Sequence, residues 1–150
     1  MDIKINYKIM KNIKNINEFI TPLLEFARIN DKKKFNYDVF VYGGDSYGSG
    51  RNEHGEPHFH FSDNIKSPQK FKISILIPTD IEWKQNKELY IYESDNNIFT
   101  WSGLNKEKKE LIKWLDEINC DDKFRTNIEF IRIQWNVLNK DNKNVKQIKL

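Results

Sequence analysis

Cysteine is nearly absent from this chain. Cys120 is the only one in 150 residues, so no intramolecular disulfide can staple the fold, a usage that fits a reducing cytoplasm. Its neighbours Asp121 and Asp122 disfavour a thiolate, and Cys120 reads as a packing residue. Long apolar runs are missing too. No segment approaches the length that crosses a bilayer, and Met1-Asp2-Ile3-Lys4-Ile5-Asn6-Tyr7 has no continuous apolar stretch of signal-peptide type. The expected location is therefore cytoplasmic. Proline is limited to four residues and glycine to six.

What is plentiful is charge and aromatic surface. The chain is 31% charged, 38% hydrophobic and 13% aromatic, which suits a folded domain and argues against disorder, because disordered chains lack this much buryable apolar area. Its length fits a single domain, 1–150, with the basic segment 140–150 expected to be a mobile tail. The net charge of +3 is unevenly placed. Lys4, Lys8, Lys11 and Lys14 crowd one end and Lys140, Lys143, Lys146 and Lys149 the other, so the body between them is acidic. Two basic ends could attract nucleic acid, although solvated lysines are the plainer reading. The Lys/Asn/Ile bias would suit a mobile element or phage.

Hydrophobic patterning predicts an α+β domain: an antiparallel sheet of about five to seven strands packed with two main helices. Alternation at Ile3, Ile5, Tyr7 and Ile9 predicts a first strand. Leu23, Leu24, Phe26 and Ala27 then give the apolar stripe of a helix that ends at Asp31-Lys32-Lys33-Lys34. Strands are expected over residues 35–42, from Pro57 onward, and through Phe71, Ile73, Ile75 and Ile77 as far as Pro78. Leu89–Tyr92 and Ile98–Trp101 around Asp95-Asn96-Asn97 suggest a hairpin. Leu104, Leu111, Leu115 and Ile118 predict a helix over 105–119. Residues 124–138 fit two periods. Ile128, Ile131, Trp135 and Leu138 are spaced for a helix, whereas Ile131, Ile133, Trp135 and Val137 alternate as in a strand. The β-branched content tips the reading toward strand.

The scarce residues share one place. Five of the six glycines and all three histidines lie between Gly43 and His60. Glycine serves sharp turns and close approach to ligands, and histidine binds metals and carries protons. The Gly43–Glu56 stretch is long for a hairpin loop. Its backbone amides could form an anion nest, with Ser46, Ser49 and Arg51 as added donors. It is not a phosphate-binding Walker loop, since Ser49 stands where lysine is needed. In a strand, His58 and His60 share one face, roughly 7 Å apart at Cα, and Phe59 and Phe61 share the other. The phenyl face should be core, leaving the imidazoles toward solvent or a cleft.

Three readings follow. The favoured one is a non-enzymatic binding module whose polar pocket takes a small anionic ligand, such as a nucleotide, or a partner protein. Its site residues would be Gly43, Gly44, Ser46, Ser49, Arg51, His54, His58 and His60. The alternative is a metal-dependent hydrolase with His54, His58 and His60 around zinc or another transition metal, Glu53 or Glu56 activating a bound water. The weaker third is nucleic-acid binding through the termini. Tyr90 and Tyr92, on one face of an expected strand, are the only aromatics placed to stack bases.

The run His54-Gly55-Glu56-Pro57-His58-Phe59-His60-Phe61 resembles the signature of a small bacterial family, domain of unknown function 4160, in which a histidine and a short spacer precede Pro-His-Phe-His. Trp114-Leu115 stands where that family has a Trp-Leu pair on a helix. The resemblance spans roughly residues 36–119 and marks the histidines. It brings no activity with it.

Overall fold

A computed structural model describes residues 26–43, 55–63, 70–94 and 100–150. The expected strand at Ile3–Ile9, the body of the first expected helix and most of the glycine-rich loop lie outside these residues. The described chain is α+β. Five antiparallel strands stand in sequence order: β1 (Phe26–Arg28), β2 (Tyr37–Tyr42), β3 (His58–Asp63), β4 (Lys72–Leu76) and β5 (Ile91–Ser94). Three helices accompany them: α1 (Asp80–Asn86), α2 (Asn105–Leu115) and α3 (Asn127–Leu138). The strand number is at the low end of the expected range.

Alternation divides the sheet into two unlike faces. Val39 pairs with Phe61, Phe61 with Ile73, and Phe59 with Ile75, and all five side chains are buried. This is the core face, where Phe35 stacks on Trp114 with ring centroids 4.6 Å apart. The opposite face carries Phe40, His60 and Ser74 in register. It is polar and aromatic, and only partly covered. Position in the pleat therefore decides which side chains become core.

Three expectations are corrected. Phe26 and Ala27 belong to an edge strand rather than to a helix. They pair with Tyr42 and Val41, Phe26 packs edge-on against Phe40 at 5.5 Å, and the Arg28 guanidinium binds Asp38 at 2.7 Å. Residues 127–138 form a helix, not a strand. Thr126 and Glu129 make a reciprocal capping box at its start, and Ile128, Ile131, Trp135 and Leu138 are buried along its length. Caps and a helical stripe together outweigh β-branched propensity. Thr100 and Trp101 lie outside any strand. Trp101 donates its indole N–H to Leu89 O at 3.0 Å, and its own carbonyl accepts from Leu104 N just before α2.

Helix α1 was not expected. Thr79 caps it by accepting from Glu82 N at 3.2 Å, and Lys87, left-handed at φ 50°, ends it. Cys120 is exposed rather than packed. Partial desolvation and the Asp121 carboxylate push its thiol pKa up, which keeps it unreactive.

If the capping box sets the start of α3, Thr126→Ala should lower stability by about 1 kcal/mol and leave the denaturant m-value unchanged. Urea unfolding checks both.

Candidate functional site

The site grows from the pleat of β3. His58 and His60 project from the same face, their ring centroids 5.1 Å apart and their planes at 70°. They are not equally placed. His58 is 1% exposed, wedged near Trp135 (5.4 Å) and Tyr92 (5.1 Å), whereas His60 is half-buried and meets Tyr42 edge-on at 4.5 Å. The expectation that both imidazoles face a solvated cleft is corrected for His58, because Trp135 of α3 and Tyr92 of β5 close over it. Phe59 and Phe61 are fully buried, as the alternation requires.

Hydrogen bonds fix the chemistry of the pair. His58 Nδ1 lies 2.9 Å from the Glu56 carbonyl oxygen. A carbonyl can only accept, so Nδ1 carries the proton, and in the neutral ring Nε2 is then the basic nitrogen. His60 Nδ1 lies 3.3 Å from Ser74 Oγ on the neighbouring strand. Both Nε2 atoms are buried from solvent.

The two ends of the glycine-rich loop are anchored where side chains would not fit. At Gly43 a Cβ would sit 2.7 Å from Leu138 O, and at Gly55, with φ +82°, one would meet the Tyr92 hydroxyl at 2.1 Å. Asn139, at the end of α3, donates to Tyr42 O at 3.0 Å, so the helix terminus and the start of the loop are tied together. The segment 140–150 folds back over the same region. Gly55 bridges to Val145, Trp135 Nε1 donates to Lys146 O at 2.9 Å, Asn136 bonds both backbone groups of Ile148, and Ile148 is buried.

Gly44, Ser46, Ser49, Arg51, Glu53 and His54 lie outside the described residues. Gly43 lies against Leu138 of α3. The Glu56 carboxylate pairs with Lys146 Nζ at 2.9 Å. Tyr90 points outward at 60% exposure, while Tyr92 turns in toward His58 and Gly55, so the two make no common stacking surface. The sequence reading overlooked Tyr42, Tyr92 and Trp135 as site residues. The first two lie on or opposite the histidine face by strand parity. Trp135 was hidden by the strand assignment of its segment.

Among the described residues no three histidine, cysteine or carboxylate side chains are grouped to hold a metal. The pair instead brings two imidazoles together on one strand, beside Tyr42, Tyr92 and Trp135.

Because His58 is buried, His58→Ala should cost about 2–4 kcal/mol, approaching the roughly 3–5 kcal/mol of Phe61→Ala. His60→Ala should cost less than either. Chemical denaturation of the three variants measures this, and a neutral His58→Ala would contradict the packing described.

No family model, curated protein or solved structure matches this chain, so the functional reading rests on the site's own chemistry.

Proposed function

We propose that this chain is a binding module whose site is the His58–His60 pair and whose occupant is a divalent transition-metal ion of the zinc class. The observation that carries the reading is the hydrogen bond from His58 Nδ1 to Glu56 O. Metal-binding histidines commonly donate their other ring N–H to a carbonyl or carboxylate, which sets the tautomer and raises the basicity of the ligating nitrogen. The ring spacing supports the same reading. Two imidazoles on one tetrahedral ion, with Zn–N bonds of about 2.0–2.1 Å, hold their centroids about 5.2 Å apart, against the 5.1 Å between His58 and His60. His54, drawn into the motif by sequence, is the candidate third donor.

A small anionic ligand is the second reading. Beside the loop donors Ser46, Ser49 and Arg51 it would draw on protonated imidazoles, and charging His58 in a desolvated setting between aromatic rings is costly. The two readings have opposite pH dependence. A metal competes with protons for the imidazole nitrogens, so its affinity rises with pH, whereas an anion held by protonated imidazoles binds more tightly as pH falls.

Titrating the full chain with Zn²⁺, and separately with AMP and inorganic phosphate, over a pH series tests both. The metal reading expects about one equivalent of zinc, tighter binding at higher pH, and a loss of about a hundredfold or more in His60→Ala. No zinc binding, with AMP or phosphate binding that strengthens on acidification, would overturn it in favour of the anion site.

A further inference from the structure

The histidine pair is closed in this structure. Nε2 of each ring is buried from solvent, so a ligand reaches it only after a covering group moves. Among the described residues the rings packed on the pair are Tyr42, Tyr92 and Trp135. Tyr42 and Tyr92 belong to strands of the sheet. Trp135 is fastened by a segment outside both sheet and helices: its indole N–H donates to Lys146 O at 2.9 Å.

That segment, residues 144–148, crosses from the end of the glycine-rich loop to α3. On the loop side Gly55 N donates to Asn144 O at 3.4 Å, Val145 bridges to Gly55, and Lys146 Nζ pairs with Glu56 at 2.9 Å. On the helix side Asn136 binds the N–H and the carbonyl of Ile148 at 2.7 and 2.8 Å, and Gln147 donates to Asn139 O at 2.9 Å. The two places it fastens are the two that hold His58. Glu56 supplies the carbonyl at Nδ1, and Trp135 lies against the ring. Yet the segment itself is thinly held. Asn144, Lys146 and Gln147 are exposed, and Ile148 alone is buried. A stretch with one buried apolar anchor and many bonds near solvent opens locally at less cost than a central strand.

We propose that residues 144–148 are a strap that gates the histidine site. Docked, the strap pins Trp135 against His58; its release as a unit frees the indole and admits a ligand to the pair. The gate rests on the reading of His58 and His60 as a binding site, but not on which ligand enters. Ile148 is its anchor, at 7% exposure with both backbone groups bonded. The Lys146–Glu56 pair is a minor fastening, because its side chains are 75% and 52% exposed and water screens them.

Diethyl pyrocarbonate, which acylates accessible neutral imidazole, reads the gate in metal-free, full-length protein. Modification of His58, followed by fragment-ion mass spectrometry, should be slow in the wild type and about tenfold or more faster in Ile148→Ala. Lys146→Ala keeps the backbone carbonyl and should stay within about threefold of the wild type. Hydrogen exchange in the wild type supplies the second measurement. Trp135 Nε1–H and the Ile148 amide should share one protection factor, about tenfold or more below those of the β3 amides. An unchanged His58 rate in a folded Ile148→Ala would overturn the proposal. So would a Trp135 indole as protected as β3, and that measurement decides alone should Ile148→Ala fail to fold. Because no metal is used, failure of zinc to bind would count against the metal reading and not against the gate.

Discussion

The burial of His58 is the constraint on which the rest of the site depends. A histidine at 1% exposure must have its polar atoms met, and the Glu56 carbonyl meets Nδ1 directly. That bond requires the chain to arrive at β3 through Gly55 in a left-handed conformation, with no room for a side chain beside the Tyr92 hydroxyl. It also requires a cover. Trp135 supplies it from α3, and Trp135 is in turn held by Lys146 O. Strand, loop end, helix and C-terminal segment thus converge on one imidazole.

Buried asparagines do much of the remaining joining. Asn30 donates to Phe35 O and accepts from Val39 N, closing the turn between β1 and β2. Asn119 reaches Ile29 O and Asn127, and Asn127 reaches Trp114 O, linking the edge of the sheet to both α2 and α3. Asn139 links α3 to β2. Each amide offers donors and an acceptor at once, so it can satisfy several backbone groups where a loop passes under cover. A chain rich in asparagine can place irregular segments against its core without leaving their carbonyls unpaired.

Much of the sheet was legible because alternation is a local signal. Phe71, Ile73, Ile75 and Ile77 announce one buried face, and Phe59 and Phe61 another, with the histidines forced opposite them. The α3 segment was ambiguous because Ile131, Ile133, Trp135 and Val137 satisfy period two as well as a helix. The deciding signal was the Thr126–Glu129 capping box just upstream. The same kind of signal, Thr79 followed by Glu82, marked α1. Phe26 to Arg28 looked helical because its strand partner lies in β2, a pairing no local pattern reveals. The site was half legible. Motif and parity pointed to His58 and His60, but the burial of His58 depends on Trp135, which is far away in sequence.

The central claim is that His58 is a neutral imidazole protonated on Nδ1, presenting Nε2 as the basic nitrogen. Long-range ¹H–¹⁵N correlation of the imidazole rings in the full-length, metal-free protein at neutral pH tests it most directly. The account predicts for His58 the pattern of a single Nδ1–H tautomer with an unprotonated Nε2. A His58 ring protonated on Nε2 alone, or on both nitrogens, would contradict it.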